Sequence, residues 1–170
     1  MSKPAIIHWP DVVRVHGPTV WRTALAILNN EADAADCFQE TFQAAVTASA
    51  KRPVRFWPAF LKRIATARAL DMLRRRISGR KRYESSDDLS AIAAGGPGPV
   101  QCAESRELAE RLRRALGRLP ELQSEIYCLR HLSELSYEEI ASELGVSVDA
   151  VGVNLHRASA RLRELLGGES

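Results

Sequence analysis

The residues whose chemistry stands out in this sequence are the cations of one short block. Residues 51–82 contain 12 Lys or Arg side chains and a single acidic one, Asp71. This density of positive charge complements a phosphate backbone and is typical of a nucleic-acid-binding surface. A basic face that only contacts solvent is the alternative, and the scarcity of acids in the block disfavours it.

The net charge of +3 conceals an uneven distribution along the chain. Residues 1–82 carry 15 basic and 6 acidic side chains, whereas residues 83–108 carry 1 and 5, and residues 109–170 carry 8 and 10. The basic half therefore precedes an acidic segment and a nearly balanced C-terminal half.

No group of side chains indicates catalysis. The four histidines are scattered along the sequence: His8, His16, His131 and His156. No nucleophile, Gly-rich phosphate loop or metal-ligand spacing accompanies them. The three cysteines are far apart and odd in number, which indicates neither a disulfide framework nor a zinc site: Cys37, Cys102 and Cys128. We expect a protein that is not an enzyme and that uses no metal or other cofactor.

The sequence also predicts the compartment. Residues 1–11 contain no apolar signal-peptide core, and no run approaches the ~20 apolar residues of a membrane helix. Together with the cysteine usage, this predicts a cytoplasmic protein without membrane insertion. We expect no long C-terminal extension that would regulate the protein in cis.

A helix-turn-helix pattern lies within residues 119–166. Ser136 and Glu139 form a capping box, Gly145 suits the left-handed residue that ends a helix, and Ser147 caps the next helix. The second helix has one apolar stripe: Val151, Leu155, Ala158, Leu162 and Leu165. A helix-turn-helix places its second helix in the DNA major groove. An αα-hairpin in a bundle is the alternative, which the combined signals disfavour.

Two further helices precede the basic block. The first covers residues 11–28, and Gly17-Pro18 predicts a break or kink within it. The second begins near residue 33 and turns Phe38, Phe42 and Ala45 inward. Its opposite face is polar, and periodicity alone leaves open whether it is solvated or binds a partner protein: Asp36, Gln39, Glu40 and Gln43.

The basic block itself predicts a helix over residues 59–76 that ends at Ser78-Gly79. Its apolar stripe alternates with outward cations, among them Lys62, Arg63 and Arg74. Phe56 and Trp57 precede it. Cations that follow phosphates beside a ring that stacks on a base would suit melted DNA. For each ring, a place in the core is an equally good interpretation.

The composition then changes. Residues 83–103 are rich in Gly, Pro, Ser and acids and predict a flexible linker, after which a helical pattern resumes at Glu104. We expect an all-α protein of two small helical domains, residues 1–82 and 104–170, with the helix-turn-helix in the second.

Both halves, in this order, resemble a bacterial RNA polymerase sigma factor of the extracytoplasmic-function class of the sigma-70 family. Residues 33–42, D-A-A-D-C-F-Q-E-T-F, resemble the region 2 motif, with Ala35 in place of the usual glutamate. In the family this helix docks on core RNA polymerase. The resemblance implies that the polar face binds core: Asp36, Gln39, Glu40 and Gln43.

Residues 57–76 resemble the helix and loop that capture the melted minus-ten element, although Ala67 stands where asparagine is common. The minus-ten contacts implied are Phe56, Trp57, Lys62, Arg63, Arg74, Arg75 and Arg76.

Residues 119–120 and 135–162 resemble region 4. The minus-thirty-five contacts implied are Ser147, Asp149, Ala150, Val153, Asn154 and Arg157. Ala150, Gly152 and Asn154 replace the Thr, Lys and Arg that are frequent there. Fewer cations lower the electrostatic contribution to DNA binding, and Gly152 weakens the helix by about 1 kcal/mol relative to Ala. We expect unusual or weak promoter reading by this half.

The sequence thus predicts a sigma factor that directs core RNA polymerase to specific promoters and assists DNA opening. Its expected partners are core RNA polymerase and promoter DNA, and the existence of an anti-sigma factor stays open. A freestanding helix-turn-helix regulator acting as a dimer is the alternative function. An adaptor that binds only protein is a third.

Overall fold

The computed structural model describes residues 5–82 and 99–167, and the side chains of residues 5–79 and 103–167. These residues form α1 (Trp9–Leu28), α2 (Glu31–Lys51), α3 (Trp57–Arg82), α4 (Pro99–Arg118), α5 (Glu121–His131), α6 (Tyr137–Leu144) and α7 (Val148–Gly167). The predicted all-α class is confirmed. Among the described residues, no helix combines the length and apolar character that a bilayer crossing requires.

Helices α1 to α3 pack against one another and form the N-terminal half. The side chain of Asn30 accepts a hydrogen bond from the Asp33 amide at 2.9 Å and so starts α2. Phe42 on α2 packs with Val20 on α1 and with Leu61 and Ala65 on α3 in one buried cluster. The basic helix α3 therefore packs through its apolar side, and its cations lie on its other faces.

The C-terminal half contains the predicted helix-turn-helix in α6 and α7. Both hydrogen bonds of the Ser136–Glu139 capping box are present, at 3.1 Å each. Gly145 ends α6 with φ of 66°, in the left-handed region that glycine adopts without a Cβ penalty. The Ser147 hydroxyl accepts from the Ala150 amide at 3.0 Å. The predicted stripe of α7 is buried, apart from half-buried Leu165.

Of the break or kink predicted at Gly17-Pro18, the break is wrong, because α1 continues as one helix through both residues. Proline removes one backbone donor and costs about 3 kcal/mol or more inside a helix. Tertiary packing offsets this cost. Gly17, Val20 and Ala24 are buried, and the Phe38 ring packs against the site of Gly17.

Three boundary and burial predictions also need correction. Helix α3 continues past Ser78-Gly79 to Arg82, and α4 begins at Pro99 rather than Glu104. Leu108, Leu112 and Leu116 lie four apart in the sequence, which predicts one apolar face, but Leu108 is 55% exposed. Packing explains the first difference, since partly buried Ile77 lies against the core that α3 shares with α4 and supports the last turns of α3.

The two halves share an apolar core. Leu28, Leu70 and Leu73 lie in one buried cluster with Leu116 and Leu162 of the C-terminal half. The Ile77 side chain of α3 packs against α4 at the place that a Cβ on Gly117 would occupy. Most of the predicted linker, residues 83–98, lies outside the described residues. The division into two domains stays a prediction.

Candidate nucleic-acid interface

Three cations of the basic helix contact the C-terminal half of the chain. The Lys62 Nζ donates to the Ser133 carbonyl oxygen at 2.9 Å. The Arg63 Nε donates to Glu143 Oε2 at 3.1 Å, and the Arg74 guanidinium donates to the Ser124 hydroxyl. These acceptors belong to α5, to α6 and to the turn between them. One face of α3 is therefore covered by the helix-turn-helix region.

Two further cations of the predicted minus-ten set are held within the N-terminal half. Arg75 pairs with Asp71 one turn earlier at 2.9 Å, and both side chains are largely exposed. The Arg76 guanidinium pairs with Asp33 and also donates to the Leu28 carbonyl at 2.9 Å. Arg76 therefore joins α3 to the α1–α2 connection and has a structural role in this arrangement.

The two aromatic residues at the start of α3 have different environments. The Trp57 ring is half-buried and packs edge-on against Trp9 at 5.7 Å and Phe60 at 5.8 Å between centroids. The Phe56 ring is 52% exposed. The sequence left two roles open for each ring, packing in the core or stacking on a base. The environment of Trp57 fits packing, and the exposed ring of Phe56 is available for stacking.

The polar face predicted on α2 is present. Asp36, Gln39 and Gln43 are exposed, and Glu40 is half-buried. Glu40 and Gln43 also line an open groove of about 740 Å³, whose other residues include Arg63, Arg68, Asp71 and Glu121. The polar face of α2 and cations of α3 therefore line the same groove.

The six residues predicted to contact the minus-thirty-five element, at the start of the recognition helix α7 and just before it, are all accessible. Asp149, Val153 and Arg157 are exposed, as is Ser147 before the helix. Ala150 and Asn154 are half-buried, and the Asn154 Nδ2 donates to the Ala150 carbonyl at 2.8 Å. The side chain of Asn154 therefore folds back along α7, and Arg157 is the one cation among these six residues.

Burial changes the acidity of several groups. Desolvation raises the pKa of Glu125 on α5, while Arg63 and Arg74 oppose the rise. Desolvation also raises the pKa of the Cys37 thiol to about 11 and that of Cys128 to about 12. Across the described ranges, no cluster of three or more His, Cys, Asp or Glu side chains has an arrangement that would hold a metal.

Comparisons with known proteins agree with this layout. The family model of sigma-70 region 2 matches residues 12–78, and that of sigma-70, region 4 matches residues 109–162. RNA polymerase sigma factor CnrH of Cupriavidus metallidurans is 31% identical over 169 residues, which cover 94% of this chain and 87% of CnrH. This chain belongs to the sigma-70 family of RNA polymerase sigma factors.

The relatives place this sigma factor in the extracytoplasmic-function class. ECF RNA polymerase sigma factor SigE of Mycolicibacterium smegmatis is 35% identical over 170 residues, and the match covers 99% of this chain but 65% of SigE. The solved structure of CnrH with the cytosolic domain of CnrY has a TM-score of 0.60 at 27% identity and covers 95% of this chain and 89% of CnrH. Sigma factor RpoE from Bartonella quintana, solved with the anti-sigma factor NepR, has the same fold, with a TM-score of 0.58 at 21% identity, 97% coverage of this chain and 100% of RpoE. The function of the family is promoter-specific initiation of transcription.

In this sigma factor, α1 to α3 correspond to region 2, and the end of α4 with α5 to α7 corresponds to region 4. The sequence predicted the cations of region 2 but missed their partners in region 4. The contacts of Arg74, Lys62 and Arg63 span 50, 71 and 80 positions of the sequence. No short-range pattern marks Ser124, Ser133 or Glu143 as their partners, because only tertiary packing brings them together.

Proposed function

We propose that this sigma factor directs core RNA polymerase to specific promoters through three surfaces. The polar face of α2 binds core, the basic face of α3 binds the melted minus-ten element, and the exposed face of α7 binds the minus-thirty-five element. One observation carries the proposal. A chain matched by both region 2 and region 4, in that order, exposes a polar α2 face and a recognition helix.

The core-binding surface consists of Asp36, Gln39, Glu40 and Gln43. Three of the four side chains are exposed. They lie on the side of α2 opposite to its buried residues. Carboxylates and amides at the surface give directional hydrogen bonds and selective charge pairing with a partner. Glu40 is the most informative of the four, since it is half-buried in the groove that α3 also lines.

The minus-ten surface combines an exposed ring with cations. Phe56 is available for stacking, and Lys62, Arg63 and Arg74 supply positive charge along α3. Base stacking on an aromatic ring contributes ~1–3 kcal/mol per base, and cations beside it follow the backbone. Trp57 supports this surface by packing beneath it rather than by stacking on DNA.

The minus-thirty-five surface is weakly charged. Arg157 and Asp149 offset each other, and Asn154 bonds back to its own helix. Ser147, Ala150 and Val153 complete the face. Since phosphate neutralisation supplies much of the affinity of DNA-binding proteins, we expect region 4 to contribute less to promoter affinity than region 2.

The remaining assignments follow from this role. We propose two domains, residues 1–82 and 104–170, joined by residues 83–103, and a cytoplasmic, non-enzymatic protein. An anti-sigma factor is a further proposed partner. This proposal has support from two similar structures, of which one contains the anti-sigma factor NepR and the other the cytosolic domain of CnrY.

The test is run-off transcription with purified chain and core polymerase on a genomic promoter library. The Glu40→Lys variant is compared with Glu107→Lys, which reverses an exposed charge on α4. Loss of one partner of a buried charge pair at an interface costs ~2–5 kcal/mol of binding, whereas exposed substitutions usually change stability by less than about 0.5 kcal/mol. We expect specific transcripts from the native chain and from Glu107→Lys, and loss of core binding in Glu40→Lys.

Circular dichroism verifies that both variants remain folded. Core binding that is equal in the two variants would remove Glu40 from the interface. A native chain that never binds core and protects duplex DNA as a dimer would replace the sigma proposal with the freestanding-regulator alternative.

A further inference from the structure

Aromatic rings follow one another from the start of α1 along the first turns of α3. The Trp9 ring of α1 contacts the Trp57 ring edge-on at 5.7 Å between centroids, and Trp57 contacts Phe60 in the same geometry at 5.8 Å. The guanidinium carbon of Arg63 lies over the Phe60 ring at 5.6 Å from its centroid. These three rings, called the aromatic ladder below, therefore end at a cation of the basic helix.

The spacing along α3 explains why the ladder reaches Arg63. Trp57, Phe60 and Arg63 follow one another at intervals of three residues, and side chains at this spacing are neighbours on the surface of a helix. Ala59 and Leu61, on either side of Phe60, are buried, whereas the ladder residues are half-buried. The row therefore lies at the margin of the core, and its Arg63 end is accessible to a ligand.

Helix α1 restrains the ladder at the other end. The Trp57 ring has a second neighbour in α1, because the His16 ring stacks on it at 6.5 Å between centroids with 22° between the planes. Trp57 thus has a face contact with His16 and an edge-to-face contact with Trp9. Edge-to-face pairs are favoured because the positive edge of one ring meets the negative face of the next, so they fix orientation as well as distance. Trp57 therefore limits the orientation of the Phe60 ring.

A ring beneath a guanidinium leaves the donors of the arginine available. The N–H groups lie in the guanidinium plane, so stacking covers one face and leaves the edge that binds a phosphate. The Arg63 Nε donates to Glu143, whereas its terminal Nη groups have no hydrogen-bond partner among the described residues. Among the described cations of the minus-ten set, Arg63 is the one that lies over an aromatic ring.

We propose that Phe60 and Trp9 are positioning residues for the minus-ten element and act on melted DNA through Arg63. Phe60 holds the guanidinium plane so that its Nη edge is directed to the strand, and Trp9 restrains Phe60 through Trp57. A side chain that is already ordered loses less conformational freedom when it binds, and this raises affinity. The inference rests on the proposed function of α3 as the minus-ten surface, to which it adds two residues that act without touching DNA.

The experiment is a double-mutant cycle in the complex of the full chain with core polymerase. The probe is a labelled promoter fragment from the run-off library whose minus-ten element is left unpaired, and fluorescence anisotropy measures its affinity. Phe60→Leu removes the ring, and Phe60→Tyr retains it. Each is made in the native chain and in Arg63→Gln, so that the coupling of the two positions is measured directly. Core binding and circular dichroism are recorded for every variant.

We expect Phe60→Leu to weaken binding of the probe by about two- to fivefold, the range of a cation–π contact near the surface. Phe60→Tyr should bind as the native chain does. In the Arg63→Gln background, Phe60→Leu should cause no further loss. Trp9→Leu should weaken binding less than Phe60→Leu does, and its effect should also disappear in Arg63→Gln.

A second comparison applies if Phe60→Leu loses helicity. Arg63→Lys keeps the charge but removes the planar group that stacks on Phe60. Arg74→Lys makes the same exchange on the same helix, where the described residues place no ring against the guanidinium. We expect Arg63→Lys to weaken binding of the probe more than Arg74→Lys, and equal losses would overturn the proposal.

The cycle has two further outcomes that separate this proposal from the proposed function. Equal losses from Phe60→Leu in the two backgrounds would overturn the positioning role, because Phe60 would then act on the fold and not on Arg63. Unchanged binding by Arg63→Gln, together with weaker binding by Phe56→Ala and Arg74→Gln, would also overturn it and leave the minus-ten surface standing. Unchanged binding by all three of these variants would refute the minus-ten assignment of α3 itself, and the positioning role with it.

Discussion

The Cε2 atom of Tyr137 lies 3.7 Å from the place that a Cβ on Gly152 would occupy. This is an ordinary van der Waals separation, so α6 and α7 leave room for a methyl group. The glycine of the recognition helix is therefore not required by close packing at this crossing.

We predict that Gly152→Ala stabilises the protein. Glycine inside a helix costs about 1 kcal/mol relative to alanine, and the methyl group meets no clash. A gain of this size raises Tm by roughly 2–4 °C in a chain of about this length. Gly145→Ala is the comparison, since its φ of 66° strains any L side chain and should lower Tm. Equal changes of Tm in the two variants would contradict the stabilisation predicted for Gly152→Ala.

A second prediction concerns the electrostatics of α7. Asn154→Arg should raise affinity for many duplex sequences by adding a phosphate contact, and it should steepen the fall of log affinity with log salt by about 0.9. Leu108→Arg adds the same charge at an exposed position of α4 and serves as the control. A salt slope that changes equally in both variants would mean that position 154 does not face DNA.

Glu125 gives the stability of the fold a pH dependence. Burial raises the pKa of its carboxyl above the ordinary value of 4.5. The folded chain therefore holds this proton more tightly than the unfolded chain does. The contribution is fully present below pH 4.5 and is lost as pH rises through the raised pKa of the folded state.

We therefore expect the Tm of the native chain relative to Glu125→Gln to increase as pH falls from 7 towards 4.5. Glu107→Gln, at an exposed position of α4, is the control and should give a difference that changes less with pH. Parallel curves for the native chain and Glu125→Gln across this range would show that the burial of Glu125 has no energetic consequence.

The two buried thiols should resist modification. Desolvation raises the pKa of Cys37 to about 11 and that of Cys128 to about 12, so neither forms the nucleophilic thiolate at pH 8. In a Cys102→Ser background, we expect no reaction with a disulfide reagent until urea unfolds the chain, and then two thiols per molecule. Fast reaction of either thiol without urea would indicate local opening of its helix.

The same two pKa shifts predict loss of stability in alkali. Both folded-state values lie above the ordinary thiol pKa of 9.0, so the thiols contribute stability fully below pH 9. This contribution is lost as pH rises through 11 and 12. Chemical denaturation at pH 8 and pH 10.5 measures it, with Cys128→Ala as the variant that should lose part of the dependence.

Local chemistry determined the helix-turn-helix from the sequence by itself. The capping box of Ser136 and Glu139, the left-handed Gly145 and the stripe of α7 each act within a few residues, so their types and spacing suffice. The motif of residues 33–42 likewise marked the exposed α2 face. These features depend on hydrogen bonds and helical periodicity that neighbours in the chain satisfy.

Tertiary structure decided what propensity could not. Pro18 remains inside α1 and α3 passes Ser78-Gly79, because packing against other helices offsets the local costs. Phe56 and Trp57 differ in exposure because the Trp57 ring packs against Trp9 of α1, whereas the Phe56 ring is exposed. The pairing of Arg63 with Glu143 joins positions 80 residues apart. No local pattern encodes such a contact, since a shared apolar core brings the two helices together, and this core determines which cations of the basic helix are covered.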